Sequence, residues 1–556
     1  MKRILAILLG AMAASMMAGA AAQAASNKTE IKQNLNIFNS LYKELQTNYV
    51  DSIDATKSIR NAIDAMLGQI DPYTEYYPED ELDNLRVLST GEYSGIGSVI
   101  MQRNGRVELS EPQWNSPARK AGLRFGDRIV AIDGDTLPKG YTTQQASARL
   151  KGQAGSKVRL TIERPYVADS ILDFEITRGQ IRTNSVPYYG IVRDSIGYIR
   201  LTTFDTNSAS EVKNAVVALK KDPRLRAIVL DLRDNGGGLL ESATQIVGLF
   251  VPKGTEVVRT RYRGKNNEKI YKTTQQPVDT DIPLAVLINE NTASSSEIVA
   301  GALQDLDRAI VVGNRSYGKG LVQSSRPLPY NGLLKVTVAR YYIPSGRLIQ
   351  AIDYSHRDEN GRVTRIPDSL TNVYHTMAGR EVRDGGGITP DITVKAKEMN
   401  RLMYNVIADF WAYDYANRFR ARQGDTIAPA DRFEISDSIY ADFKNFIDPD
   451  RFKYDRMCES GMKYLREAAE LEGYMTDSVA AQFDLLESML KHDLSRDLDF
   501  NATDLRDLLD DEISARYYDD GARVMRALRT DPDLDAATAA LLDPARYRAL
   551  LAPKKE

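Results

Sequence analysis

Ala227-Ile228-Val229-Leu230-Asp231-Leu232, running into Arg233-Asp234-Asn235-Gly236-Gly237-Gly238, is the stretch that decides the fold. Its apolar residues do not alternate with polar ones, and a glycine turn ends the run. That pattern reads as a strand buried on both faces, as in a parallel sheet. Gly197-Tyr198-Ile199-Arg200-Leu201, Pro283 to Ile288 and Ala309 to Val312 read as further strands, and Ser208 to Lys220 as a helix between two of them. Strand and helix in alternation imply βαβ units, with functional loops at the strand ends. Residues 183–394 are therefore expected to form an α/β core.

Upstream, residues 25–86 read as a helical segment. Ile31, Leu35, Phe38, Leu41/Tyr42 and Leu45 recur at helical spacing, as do Ile59, Ile63, Met66 and Leu67 before Asp71-Pro72. Residues 87–182 change texture to short apolar runs punctuated by glycine. Ser94-Gly95-Ile96-Gly97-Ser98-Val99-Ile100 is a glycine turn running into a strand. Ser116-Pro117-Ala118 and Ala121-Gly122-Leu123 lead to Gly126-Asp127-Arg128-Ile129-Val130-Ala131-Ile132-Asp133-Gly134. This ordered series resembles a PDZ domain. Gly95, Ile96 and Gly97 would then present backbone N–H groups to a terminal carboxylate, and the next strand would accept a peptide as an added strand.

Residues 395–556 read as a helix-rich domain. Val479, Phe483, Leu486 and Leu490 form a stripe that needs a partner surface. That partner is expected to be the rest of the chain, a second copy or an adaptor or regulator protein, and a homo-oligomer through this domain is the favoured reading.

At the other end, Lys2 and Arg3 precede a run without charge from Ile4 to Ala22, closed by Ala22-Gln23-Ala24. This predicts a signal peptide over 1–24, removed on export; an uncleaved membrane anchor is the rival. With Cys458 as its single cysteine, the chain makes no internal disulfide, and a bacterial periplasm fits best. An uncleaved signal would leave the protein membrane-associated.

The 556 residues carry 73 Lys+Arg against 76 Asp+Glu, a net charge of −3, with 42% hydrophobic residues. That balance suits several globular domains and gives no field that would draw nucleic acid. Neither CxxC nor HExxH occurs, so no metal or other cofactor is expected.

The chemistry is expected in two segments. Ser294-Ser295-Ser296-Glu297 follows a buried strand and opens a helix, where Ser294-x-x-Glu297 alone could be a capping box. Ser316-Tyr317-Gly318-Lys319-Gly320-Leu321-Val322-Gln323 adds a lysine between two glycines. A lysine serves as general base once burial lowers its pKa from about 10.4 toward neutrality. A serine at a helix start, such a lysine and main-chain N–H donors suffice for acyl transfer without histidine. The Asp234–Gly238 turn is the natural source of donors, and Gln323 could orient the amine.

NTASSSEIVAGALQD, RSYGKGLVQ, LDLRDNGGG, ARYYIPSGRLIQ (339–350) and GGGITPDITV (385–394) together resemble the carboxyl-terminal processing, or tail-specific, proteases. The resemblance covers about residues 30 to 395 and implies a multidomain α/β protein with a crotonase- or ClpP-like protease core. It implies a serine endopeptidase acting on proteins with free or unstructured C-terminal tails, with Ser294 as nucleophile, Lys319 as base and Gln323 orienting the lysine. The oxyanion hole would be the N–H groups of Gly237 and Ser295, and Asp305 a supporting residue. Two departures stand out. Three serines are consecutive, so Ser296 competes for the nucleophile's place. Gly236 stands where the family usually has proline.

Other readings are weaker. His356 and His375 fall in a charged, glycine-rich stretch read as a loop, and all three histidines, with His492, are expected to be solvated. Ser-x-x-Lys recurs at Ser40, Ser210, Ser460, Ser488 and Ser316, without the SDN and KTG elements of the β-lactamase type. A catalytically silent PDZ-bearing scaffold is the alternative from another class; the joint presence of Ser294, Lys319 and Gln323 argues against it.

Overall fold

The computed structural model describes residues 28–82, 85, 87, 90–264, 267–359, 361–395, 399–454 and 456–553. The segment 1–24, read as a signal peptide, lies outside the described residues. Two units divide the chain: residues 28–78 with 325–336, and residues 79–324 with 337–556.

In the first unit, residues 28–48 and Ala55–Gly68 are helical. Asp54 caps the second helix by accepting the Lys57 N–H at 2.9 Å. Asp71 accepts the Tyr73 and Thr74 N–H groups after it ends, and Glu75–Tyr77 pairs antiparallel with Leu333, Leu334 and Lys335. The predicted spacing does give a helix, yet Ile31, Leu35, Phe38, Leu41 and Leu45 are all exposed along it.

The second unit is built on a six-stranded sheet. Its order is Tyr188–Val192, Ile196–Arg200, Ala227–Asp231, Leu284–Ile288, Ile310–Gly313 and Ile392–Thr393. The first pair is antiparallel and the rest are parallel. Every residue of Ala227–Asp231 is fully buried, as the uninterrupted apolar run implies. Ile228, Leu230, Val286 and Ile288 face the helices Ser208–Leu219, Leu240–Val247 and Ser295–Asp305. Ile196, Tyr198, Val229, Leu287 and Val312 face the other way. The two sets alternate with the two-residue period of a strand.

What covers the second face comes from the far end of the chain. Leu528, Leu534, Ala537, Ala540 and Leu541 pack on it. Arg233 ties this tail down, reaching Asp531 at 2.6 Å and Asp533 at 2.9 Å while also holding Asp231 at 2.7 Å. Burial pushes the Asp231 carboxyl up, but Arg233 and Arg200 overcome it and hold the group down to about 2. The last helices of the helix-rich stretch 395–556 thus pack on the sheet of the core, one of the partner surfaces expected for it. The earlier helices form their own core around Trp411, Tyr415, Phe443, Leu505 and Leu509. The Val479, Phe483, Leu486 and Leu490 stripe is covered only in part: Val479 and Phe483 are half-buried, Leu486 and Leu490 are exposed, and the helices Met457–Leu471 and Asp477–Leu490 fully bury Met462 alone.

Residues 92–182 form a sheet ordered Ser98–Arg103, Arg106–Pro112, Arg128–Ile132, Lys157–Glu163, Ile171–Thr177, with Glu92–Gly95 paired to Gly179–Arg182. The Thr143–Leu150 helix carries a capping box between Thr142 and Gln145. This domain docks on the helical domain. Arg103 grips Asp414 with both guanidinium nitrogens, at 2.6 and 2.5 Å, and the Tyr413 hydroxyl donates to the Leu109 carbonyl at 3.2 Å. The stretch 353–383, read as a loop, instead forms two short hairpins, Ile352–Arg357 with Val363–Arg365 and Val373–His375 with Glu381–Arg383.

Candidate active site

Three consecutive serines begin the Ser295–Asp305 helix, and the backbone separates them. Ala293 donates its N–H to the Asn235 carbonyl at 3.0 Å, and the Thr292 hydroxyl donates to the Leu232 carbonyl at 2.9 Å. Held by these bonds, Ser294 takes φ 57°, ψ −118°. A non-glycine residue in such a region costs on the order of 1–3 kcal/mol and persists where its surroundings over-determine it. The turn leaves Ser294 half-buried. Ser295 and Ser296 are buried, their hydroxyls donating to the Gly238 and Asn235 carbonyls, both at 2.8 Å. Sequence left Ser296 in contention; in the structure it is walled off from any bound chain.

Glu297 is fully buried and accepts four hydrogen bonds. Its Oε2 takes the N–H of Ser294 at 2.9 Å and of Lys319 at 2.8 Å. Its Oε1 takes the N–H of Gly318 at 2.7 Å and the Ser316 hydroxyl at 2.5 Å. Burial pushes the carboxyl up to about 7 despite the four donors. A second bridge runs parallel to it: the buried Tyr341 hydroxyl reaches the carbonyls of Ser294, at 3.1 Å, and of Lys319. One carboxylate and one phenol thus lock the main chains of Ser294 and Lys319 together. Read as a cap in the sequence, Glu297 is the hub of the site.

The glycines around Lys319 admit a neighbouring chain. Ala351 donates its N–H to the Gly318 carbonyl at 2.9 Å, and Gly320 donates to Gln350 Oε1 at 2.7 Å. A Cβ on Gly318, at φ 88°, would lie 2.3 Å from the Ala351 Cβ. Lys319 itself is half-buried. Gln323 follows on the strand Leu321–Pro327, where its amide nitrogen donates to Thr337 Oγ1 at 3.2 Å.

The glycine turn abuts the serine. A Cβ on Gly237, at φ 94°, would lie 2.7 Å from the Ser294 Cβ and 2.8 Å from the Ser295 nitrogen. The two N–H groups named for an oxyanion hole therefore belong to touching residues. In this structure the Gly237 N–H donates to Asn235 Oδ1 at 2.9 Å. Gly236 faces open space, so nothing in the packing demands glycine there. A groove of about 840 Å³ lies beside the glycine turn, between Asp234, Asn289 and Asn314 at the carboxyl ends of the strands and the tail residues Asp531 and Asp533; Ser294, Gly237 and Lys319 do not line it.

Asp305 closes the same helix in a buried ion pair with Arg347 at 2.8 Å and accepts the Ser345 N–H at 3.0 Å. It anchors the 343–347 turn. The 339–350 stretch, noted only for its family likeness, thus supplies Tyr341, Arg347 and Gln350 to the site; no periodicity or spacing flags them. Among the histidines, His356 and His375 are exposed, but His492 corrects the expectation of solvation: it is half-buried, with Nδ1 2.6 Å from Asp497 Oδ2. In the PDZ segment, the Ile96 carbonyl accepts the Ala118 N–H at 2.8 Å and the Gly97 carbonyl the Gln113 N–H at 3.0 Å, so the turn and the Ser116-Pro117-Ala118 stretch form one packed unit. Ser98–Arg103 is an edge strand of its sheet among the described residues. Among the described residues no His/Cys/Asp/Glu group could hold a metal ion, and no helix is long and apolar enough to cross a membrane.

Comparison with known proteins agrees with this layout. Residues 195–355 match the model of peptidase family S41, residues 109–164 a PDZ domain, and residues 402–541 the C-terminal helical domain of probable PDZ-proteases. The carboxy-terminal-processing protease of Bartonella bacilliformis is 38% identical over 344 residues, 61% of this chain and 78% of that one. The chain belongs to peptidase family S41. A probable CtpA-like serine protease of Staphylococcus aureus (strain COL) is 29% identical to this S41 peptidase over 473 residues, 84% of each chain. Among solved structures, the photosystem II D1 C-terminal processing protease is 28% identical, over 64% of this chain and 86% of that one, with a TM-score of 0.36. The S41 peptidase is thus a serine protease of the carboxy-terminal-processing type, with a PDZ domain, an α/β core and a helical C-terminal domain.

Proposed function

We propose that this S41 peptidase is an exported serine endopeptidase that cuts proteins at or near their C-termini, with Ser294 as nucleophile and Lys319 as general base. The observation that carries the reading is the double lock of Glu297 and Tyr341 on the main chains of both residues. In this reading the neutral Lys319 amine takes the Ser294 hydroxyl proton as Oγ bonds to the scissile carbonyl carbon. The carbonyl electron pair moves to oxygen, where the Ser295 N–H and the Gly237 N–H receive it. Gly237 must exchange Asn235 Oδ1 for that oxyanion. Collapse breaks the C–N bond, and the Lys319 ammonium protonates the departing amine. Water then repeats the sequence on the ester, and neither metal nor other cofactor takes part.

The PDZ domain would present the chain end: a tail adds along Ser98–Arg103, its carboxylate toward Gly95, Ile96 and Gly97. Residues 1–24 would direct the protein to a bacterial periplasm and be removed there. The Met457–Leu471 and Asp477–Leu490 hairpin exposes Tyr464, Leu465, Leu486 and Met489, which fits pairing with a second copy. The test is a protein substrate with an unstructured apolar tail, offered as free acid and as C-terminal amide, with products mapped by mass. Cuts confined to the tail and slower for the amide are expected. Equal rates for both would remove the tail-reading role of the PDZ domain, and no cut at all would remove the function.

A further inference from the structure

Far from the serine, the junction between the PDZ and helical domains holds five arginines around a cavity of about 260 Å³: Arg119, Arg124 and Arg164 from one side, Arg420 and Arg516 from the other. Their carboxylate partners number three. Asp127 pairs with Arg164 at 2.7 Å, Glu512 with Arg516 at 2.8 Å, and a single Asp425 oxygen serves both Arg124, at 3.0 Å, and Arg420, at 2.8 Å. Arg119 has no carboxylate partner among the described residues. Its bonds go to the Pro112 and Arg516 carbonyls, and its guanidinium carbon sits over Trp114, 4.2 Å from the ring centre. Among the described residues the five guanidinium groups thus outnumber the carboxylates in contact with them by two, with Glu111 and Asp520 acting on Arg119 from further off.

Two further observations point to a missing anion. Burial, reinforced by Arg420, pushes the Arg119 guanidinium down to about 10, and burial with Arg164 and Arg420 lowers that of Arg124. On the cavity wall, Asn417 is buried and accepts the Arg516 Nε–H on its Oδ1 at 2.9 Å, and its Nδ2 has no hydrogen-bond partner among the described residues. Guanidinium forks match the oxygens of phosphate and carboxylate groups, and buried charges need such partners. The cavity falls just below the roughly 300–1,000 Å³ of sites for drug-sized ligands, so its guest is small.

We propose that this junction is a binding site for a doubly charged phosphate-type anion, free or as a small monoester, which clamps the PDZ domain to the helical domain through Arg119 and Arg124 on one side and Arg420 on the other. Both sides contribute ligands, so occupancy and domain docking are thermodynamically linked.

The test is calorimetric titration of the full-length mature protein with inorganic phosphate and with glycerol 3-phosphate, against chloride at equal ionic strength. Saturable one-site binding of phosphate is expected, with Kd at least tenfold weaker in Arg119→Gln and in Arg124→Gln. Binding of the ester as well would show that the anion arrives on a small molecule, and its failure beside phosphate would assign the free ion. Arg124 is partly exposed, so its variant keeps the test decisive where Arg119→Gln does not fold. Absence of saturable phosphate binding, or equal affinity in Arg124→Gln, would overturn the proposal.

Discussion

Replacing Glu297 with glutamine separates the locking of the site from the stability of the fold. Four donors converge on the carboxylate. A glutamine keeps one acceptor oxygen and sets an amide nitrogen against the other two donors. Hydrogen bonds to a charged group contribute about 1.5–3 kcal/mol each, so two lost bonds cost roughly 3–6 kcal/mol. The substitution also removes a buried charge. Burial pushes the folded carboxyl up to about 7 from its ordinary 4.5, a difference of about 3 kcal/mol at about 1.4 kcal/mol per pH unit. A raised carboxyl pKa means the folded state binds the extra proton, so this contribution is present at low pH and fades as pH climbs from about 4.5 to about 7. Net destabilisation above about pH 7 is therefore modest, on the order of 0–3 kcal/mol.

Catalysis has no such offset. A misplacement of about 1 Å between reacting groups costs about 100-fold, and the glutamine variant is expected to lose at least that in kcat. In the wild type, activity should rise as Glu297 ionises near pH 7, because a proton on the carboxyl faces donors only. Urea unfolding at about pH 5 and pH 8, with kcat profiles over the same range, reads both effects. The wild-type-minus-variant stability should shrink as pH rises. A variant with kcat within about threefold of wild type, or a stability difference flat with pH, would refute the reasoning.

Gly237→Ala places a Cβ 2.7 Å from that of Ser294 at φ 94° and should abolish tail cleavage with secondary structure intact by circular dichroism. Gly236→Ala, facing open space, should keep activity and gain up to about 1 kcal/mol in urea unfolding. A chain ending after Thr530 uncovers the sheet face lined by Tyr198, Val229 and Leu287 and should be recovered as aggregate rather than as soluble protein. Substituting Leu465 and Leu486 by serine should leave thermal unfolding unchanged and lower the assembly state seen by mass measurement, since both side chains are exposed in the single chain.

The α/β core was legible because burial on both faces leaves an uninterrupted apolar run, and Ala227–Asp231 occupies the interior the pattern implied. Ser294 and Lys319 were legible through short motifs around them. Glu297 was seen only in part, because a local capping signal hides its longer bonds to Gly318 and Lys319. Tyr341 acts across 47 residues of sequence on Ser294, which no local period can report. The docking of the tail on the sheet was hidden for the same reason. Residues 395–556 read as helix-rich throughout, and the tertiary pairing of Arg233 with Asp531 shows that Leu534 and Leu541 close the sheet. The 479–490 stripe shows the converse: helical spacing predicts a face, but not whether the same chain covers it.

The central claim is that Ser294, not its neighbours, attacks the substrate with Lys319 as base. Its most direct test is kcat/KM for tail cleavage by Ser294→Ala, Ser296→Ala and Lys319→Ala beside wild type. Loss of a nucleophile or its base costs on the order of 10⁶ in kcat, so the Ser294 and Lys319 variants should fall by at least about 10⁴ while Ser296→Ala stays within about tenfold. Cleavage at the wild-type rate by Ser294→Ala, with Ser296→Ala silent and folded, would contradict the account.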